Sequence, residues 1–354
     1  MSDNIPSTAS AVQISSYTNS PTGANTSIPL DSVISVVPVP VPKPGPGEAL
    51  VRLTLRPVNP SDVFTVNGVY PGFQPTSMPA TPGLEGMGVV ATLGPATASC
   101  GLTVGQRVTC TSWGAKTGKG TWQQYSVVDA DTLVAVPDEV TDEFAASAVV
   151  NPITILGLLD TEPIPEGEHL LINSSGSALN RMLLQLARKR GIKVIGVIRR
   201  AAQREEILAL GAAEVVVCKE DGSGIAEAVK KITGGRGAYV AYDCVAGPGF
   251  KHFSAAVRDG GTIYNYGGQG GAELCVPIND TIFRGITVKG FWLTPYMRDG
   301  PPARAKALLT EVLSLAKQGV FVPQKGQHFA LKDVLKALAQ HNTMGRDAKF
   351  YLKG

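Results

Sequence analysis

What most constrains the fold is a series of apolar runs beginning near residue 155: "HLLIN", "KVIGVI", "EVVVC", "AYVAYDC" and "GTIYNYGG", each followed by a segment of helical periodicity. A strand that is apolar on both faces must be covered on both. Runs of this kind alternating with helices predict a parallel, doubly wound sheet with helices on either side. The preceding residues have another rhythm. They are rich in Pro and Gly and carry short β-branched runs, "SVISVVPVPVP", "EALVRLTL" and "GMGVVATLG". Short strands between turn signals predict an antiparallel, barrel-like domain. "ITVKGFWL" reads as one more strand. After Pro295 come two amphipathic helices and a short closing strand, "AKFYLKG". The expected layout is α/β, with residues 155–295 as a doubly wound domain inserted into a β-rich one made of 1–154 and 296–354.

Composition narrows the function. With 44% apolar and 17% charged residues in 354, the chain can bury two cores and is not disordered. A net charge of +3 without basic clusters excludes a dedicated nucleic-acid binder. No apolar run approaches the ~18–20 residues that span a bilayer, so no membrane partner is expected. The N-terminal segment lacks the basic start and apolar core of a secretory signal and the arginines of a presequence. A cytoplasmic location is expected, or the mitochondrial matrix if a leader has been removed. Five scattered cysteines without C-x-x-C spacing fit buried thiols in a reducing compartment. Asn25-Thr26-Ser27 spells a glycosylation acceptor but has no secretory context.

The stretch "LLINSSGSALNRMLLQLARKRGIKVIGVIRR", residues 170–200, has the order strand, turn, helix, strand. This is the outline of a dinucleotide-binding unit, whose turn usually carries three glycines. Here "SGSALN" covers the six positions, with Ser175, Ser177 and Asn180 at the glycine places and Gly176 and Ala178 between them. Serine is small enough for close approach and can bond a phosphate, and helix N-terminal amides still face an anion. Asn180 is bulkier and predicts a helix farther from the sheet. About 20 residues later an NAD site carries an acid on the ribose, whereas an NADP site accepts arginine. The second strand ends in Arg199 and Arg200, so NADPH is the expected cofactor.

Several reaction designs are excluded. No Tyr-x-x-x-Lys occurs, which removes the tyrosine–lysine pair of short-chain dehydrogenases. Zinc alcohol dehydrogenases share the inserted-domain layout but need an open Cys/His/Glu site. Where they carry histidine beside glutamate, "TPGLEGMG" holds Leu84, and "NPSD" offers no cysteine. The four histidines are dispersed and no metal is expected. Hydride delivery to the β-carbon of an activated double bond then remains, with a donor at the carbonyl oxygen or a proton source near the α-carbon.

With these residues assembled, the chain resembles the zinc-free medium-chain dehydrogenase/reductases, and among them the mitochondrial-type trans-2-enoyl thioester reductases, from about residue 30 to the end. The segments that carry the resemblance are "VNPSDVFTVNGVYPG", "GTWQQYSVVDADTLVAVP", "NPIT", "GGTIYNYGGQGG" and "FRGITVKGFWL". It implies a GroES-like catalytic domain and a Rossmann domain. It also implies Tyr70, in "NGVYPG", as the catalytic group and a contact for substrate. A phenol, with an ordinary pKa of about 10, is a neutral donor near neutral pH. Gly68, Pro71 and Gly72 suit a loop that projects it. Asn151 and Thr154 match the pair that bonds the nicotinamide carboxamide, and Asn151 also reads as the N-cap of a helix opening at Pro152. Tyr266, Gly267, Gly268, Phe291, Trp292, Leu293 and Lys349 match positions near the cofactor, and Trp292 also lies near substrate.

The implied substrate is an enoyl thioester of CoA or of acyl carrier protein. A homodimer pairing "ITVKGFWL" with its copy follows from an apolar strand at a sheet edge. A quinone or 2-alkenal reductase with the same cofactor geometry is the nearest alternative. A non-enzymatic protein retaining the fold is the alternative of another class.

Overall fold

The structure, a computed structural model, describes residues 5–19, 28–301, 303–322, 325–341, 343 and 348–354. Asn25-Thr26-Ser27 lies outside the described residues. The chain divides into two compact units, one of residues 1–150, 301–318 and 323–354, the other of 151–300 with 319–322.

In the first unit β1 (Thr8–Ile14) and β2 (Ile34–Pro40) form an antiparallel pair. A larger sheet follows from β3 (Glu48–Pro57), β4 (Met87–Leu93), β5 (Arg107–Cys110), β6 (Tyr125–Asp129) and β7 (Leu133–Ala135). The second unit supplies β8 (His169–Ile172), β9 (Lys193–Ile198), β10 (Glu214–Val217), β11 (Ala238–Asp243), β12 (Val257–Asn265) and β13 (Thr287–Gly290). The chain then returns to the first sheet with β14 (Gly326–Ala330) and β15 (Lys349–Lys353). That sheet has the order β14-β15-β3-β4-β5-β7, with β6 also on β3. All its pairings are antiparallel except β14 with β15. A core of Val12, Ile14, Val58, Trp122 and Leu352, all solvent-excluded, lies beside it.

The second unit is the doubly wound sheet. Its order is β10-β9-β8-β11-β12-β13, parallel throughout. Leu171, Ile195, Ala241 and Ile263 are solvent-excluded, as two covered faces require. The chain runs outward from β8 in one direction, then restarts from β11 in the other. This reversal opens a crevice at the carboxyl ends of β8 and β11, the usual ligand position in such sheets.

Two expectations need correcting. "ITVKGFWL" is not one strand: pairing stops at Asn265 opposite Gly290, because β12 ends there. Trp292 is still extended, but helix Leu293–Arg298 starts behind it, and the Phe291 ring packs on Tyr296 at 5.4 Å. Nor is Asn151 an N-cap. The helix is Val150–Thr161 and Asn151 lies inside its first turn. The cap is supplied from far along the chain: the Glu85 carboxylate accepts from the Val149 and Val150 N–H groups at 3.1 and 2.8 Å. A carboxylate at a helix N-terminus satisfies otherwise unpaired donors and complements the dipole.

Candidate active site

In the first unit, Asn59 opens helix Pro60–Val66 with Pro60 at its first position, where the missing N–H costs nothing. The Asn59 N–H donates to Asp62 Oδ2 at 2.8 Å, closing a capping box. The helix leads directly into the loop bearing Tyr70. Gly68 adopts φ +77°, which a residue with a Cβ resists. The Tyr70 ring folds over Gly72 so closely that a Cβ there would lie 2.5 Å from Tyr70 Cε1. Tyr70 is half-buried against the core of Val66, Phe73 and Leu338. The two glycines therefore shape the loop around the phenol.

Beneath this helix sits a buried polar cluster that sequence reasoning did not anticipate. Asn59, Asp62 and Glu85 are all 1% exposed or less, and Lys349 is 9% exposed. Asp62 Oδ1 accepts from the Leu84 N–H at 3.1 Å, and the Asn59 amide donates to Glu85 Oε1 at 2.8 Å. The Lys349 ammonium donates to Asn59 Oδ1. Burial pushes the Asp62 carboxyl up to about 7 and raises Glu85 as well, while Lys349 and the amide donors pull both back. Lys349, matched by resemblance to a cofactor position, is thus placed on Asn59 in the first unit.

In the second unit, the "SGSALN" turn sits at the end of β8. Ser177 caps helix Ala178–Lys189, its hydroxyl accepting from the Asn180 N–H at 3.3 Å. Ser175 is fully buried, with its hydroxyl directed at Ile172 O at 3.4 Å and its N–H donating to Val197 O at 3.1 Å, so neither faces a ligand. The Ser175 hydroxyl is therefore turned away from the expected phosphate bond, whereas the half-buried Ser177 hydroxyl accepts one bond and keeps its own O–H to donate. The turn also offers main-chain groups at the N-terminus of a 12-residue helix. The Gln203 side chain lies over Gly176, where a Cβ would come within 2.6 Å of its Nε2. Sequence reading passed over Gln203, although it stands just beyond the two arginines. Arg199 and Arg200 lie exposed at the end of β9.

Asn180 explains how the turn does without its third glycine. It is fully buried and its amide donates to Asn173 O at 2.7 Å and Ser174 O at 3.3 Å. Its Oδ1 accepts from the Tyr266 hydroxyl at 3.1 Å, linking the turn to the end of β12. Burial pushes this phenol far above its ordinary range, so it stays a donor. The network continues across the sheet reversal. The Asn173 amide donates to Asp243, Asn265 Nδ2 donates to Asp243 Oδ2 at 2.6 Å, and Cys244 N–H donates to Asn173 Oδ1 at 3.0 Å. Gly267 follows in close approach, since a Cβ there would lie 2.8 Å from Cys244 O. Gly268 lies beside it, where a Cβ would come within 2.9 Å of Gly271 O.

The remaining predicted residues also fall in this unit. Thr154 is buried and Asn151 half-buried on helix Val150–Thr161. Phe291 packs against Gly157 of that helix, where a Cβ would be 2.5 Å from Phe291 Cζ. Leu293 is half-buried, while Trp292 is 41% exposed.

A barrel-like unit and a six-stranded parallel sheet in this order define the medium-chain dehydrogenase/reductases. Residues 45–138 match the family model for the alcohol dehydrogenase GroES-like domain, and residues 178–311 match that for zinc-binding dehydrogenase. The mitochondrial enoyl-[acyl-carrier-protein] reductase of Arabidopsis thaliana is 31% identical over 82% of this chain and 76% of its own length. The chain belongs to the family of these mitochondrial-type enoyl reductases. The fold is also that of Escherichia coli quinone oxidoreductase complexed with NADPH, at TM-score 0.83, 22% identity and 98% and 100% coverage of the two chains. A mutant enoyl thioester reductase from Candida tropicalis gives TM-score 0.82 at 22% identity, with 98% of this chain and 100% of that chain covered.

The second model's description implies zinc, and the residues in the first unit do not fit it. Leu84 has no lone pair to offer. Both Glu85 oxygens already accept N–H groups, and an ammonium occupies the cluster. Among the described residues no group of three or more His, Cys, Asp or Glu is arranged to hold a metal.

Proposed function

We propose that the protein is an NADPH-dependent reductase of the trans-2 double bond of an enoyl thioester, carried on CoA or on acyl carrier protein. The carrying observation is Tyr70, a phenol held by Gly68 and Gly72 on the loop after helix Pro60–Val66. The second unit fits the cofactor. The half-buried residues 176–178 of the turn present main chain and a helix N-terminus to a pyrophosphate, and exposed Arg199 and Arg200 suit a 2′-phosphate. Thr154, Asn151, Tyr266, Gly267, Gly268, Phe291, Trp292 and Leu293 are the further residues assigned to it. When bound, NADPH supplies hydride to the substrate β-carbon.

The residues of the chain have three tasks. Arg199 and Arg200 select the phosphate-bearing cofactor by charge-assisted bonds. The Asn173–Asp243–Asn265 network holds the crevice in one arrangement. Tyr70 donates a hydrogen bond to the thioester oxygen, or a proton toward the α-carbon, where negative charge gathers in the transition state.

The relatives favour a thioester over a quinone, while the fold is shared by both. The test is NADPH consumption with crotonyl-CoA, with a benzoquinone and with neither. Turnover of crotonyl-CoA alone supports the proposal, and turnover of quinone alone moves the protein to quinone reduction. Binding without turnover makes it non-enzymatic. We further propose a homodimer in a reducing cytoplasm or matrix. β13 is an edge strand, flanked by exposed Ile278, Ile282 and Phe283 at 66–79%. Light scattering at micromolar concentration checks it, and a monomer refutes it.

A further inference from the structure

The buried cluster of the first unit joins four separate pieces of chain. Asn59 and Asp62 come from the start of helix Pro60–Val66, Glu85 from the loop before β4, Val149 and Val150 from a helix N-terminus, and Lys349 from β15. Each carboxylate oxygen accepts an N–H: Asp62 Oδ1 and Oδ2 from Leu84 and Asn59, Glu85 Oε1 from the Asn59 amide, Glu85 Oε2 from Val149 and Val150. The Asn59 amide therefore has its nitrogen on Glu85 and its oxygen on the Lys349 ammonium. Two buried carboxyls thus share one buried ammonium.

We propose that the Lys349 ammonium, rather than a metal ion, is the resident cation of this cluster, and that Lys349 is a positioning residue for Tyr70. Buried carboxylates without a counter-charge are strongly disfavoured, and attraction to an ammonium is large where water is absent. The ammonium also fixes which way the Asn59 amide points, because only its oxygen can face a donor. Asn59 caps the short helix whose other end carries Gly68 and Tyr70. Lys349 thereby sets the start of the segment that presents the phenol, without itself touching substrate.

The kinetic arm of the test rests on the enoyl reductase reading; the thermal arm does not. Lys349→Ala leaves a space of alkylammonium size beside two carboxyls. Its melting temperature and crotonyl-CoA kinetics are measured with ethylammonium chloride, with sodium chloride at equal ionic strength, and with zinc sulfate. We expect the variant to lose at least tenfold in kcat, with KM for crotonyl-CoA changed less than threefold. Ethylammonium restores both melting temperature and kcat saturably, sodium chloride restores neither, and wild type responds to none of the three. Loss that ethylammonium does not recover beyond sodium chloride overturns the proposal, as does a variant with wild-type melting and kcat. Wild type stabilised by zinc overturns it too. If Lys349→Ala does not fold, Lys349→Arg and Lys349→Met decide. A folded Arg variant beside a much less stable Met variant supports the charge. Equal behaviour of the two, folded or not, overturns it. Wild type inactive on crotonyl-CoA defeats the functional reading alone, and the melting data then stand by themselves.

Discussion

Replacing Asn180 with glycine restores the residue usual at the third fingerprint position, yet it should destabilise this protein. The side chain donates to Asn173 O and Ser174 O and accepts from Tyr266 Oη, all within 3.3 Å and inside a fully buried residue. Asn180→Gly takes the donor from the Asn173 carbonyl and the oxygen acceptor from the Tyr266 hydroxyl, leaving the latter only the weakly accepting Cys244 thiol. A buried polar group left unpaired costs about 1–3 kcal/mol, so the two give roughly 2–6 kcal/mol. Exchanging Asn for Gly within a helix adds a few tenths of a kcal/mol, roughly. Taking about 3 kcal/mol, and ~2–4 °C per kcal/mol for a domain of this size, melting should fall by about 6–12 °C. The assay is thermal unfolding by circular dichroism of wild type, Asn180→Gly, Tyr266→Phe and the double variant. Because the two side chains share one bond, their losses should sum to more than the double variant shows. A glycine variant melting within about 1 °C of wild type, or strict additivity, refutes the reasoning.

Tyr70→Phe keeps the ring over Gly72 and should lower crotonyl-CoA turnover on the order of 100- to 1000-fold with NADPH affinity unchanged. Turnover within about threefold of wild type, only ~0.65 kcal/mol, removes the hydroxyl from the mechanism. NADPH should bind at least about tenfold more tightly than NADH, since charged hydrogen bonds contribute ~1.5–3 kcal/mol. Arg199→Ala with Arg200→Ala should erase the difference in a fluorescence titration; an unchanged preference would falsify the arginine assignment. Burial pushes the Cys110 thiol up to about 11 and Cys244 to about 12, whereas Cys275 is exposed. Iodoacetamide at pH 8 should therefore label Cys275 first and spare Cys110 and Cys244 until the protein unfolds, as peptide mass spectrometry would show.

Much of the fold was legible because its causes are local. "HLLIN" and "AYVAYDC" are apolar on both faces, and only a covered parallel sheet buries both. The start of a helix after the "SGSALN" turn was readable because the apolar periodicity that marks it is local. The misreadings share the opposite property. Asn151 looked like a cap, but the acceptor that caps the helix is Glu85, about 65 positions earlier. Asn180 looked like a bulky misfit because its partner Tyr266 lies 86 residues on. Lys349 meets Asn59 across 290 residues, a pairing that no periodicity announces. "FWL" continued the apolar run, and what ended the strand was the end of its neighbour at Asn265.

The pairing of β15 with β3 has a consequence for how the molecule is made. Leu352 lies opposite Arg56, and the buried Arg56 guanidinium donates to carbonyls at Thr121, Gln123, Leu352 and Gly354. During synthesis the ribosome delivers β3 early and β15 last, nearly 300 positions later. Through most of translation, then, the Leu55–Pro57 end of β3 waits unpaired beside the stretch that β6 covers, and a guanidinium lacks half its acceptors. The second unit is mostly continuous and can close as it emerges, so the domain whose residues appear first is completed last. A nascent chain stalled shortly before residue 349 should expose an open β-edge that chaperones recognise, while the second unit is already folded.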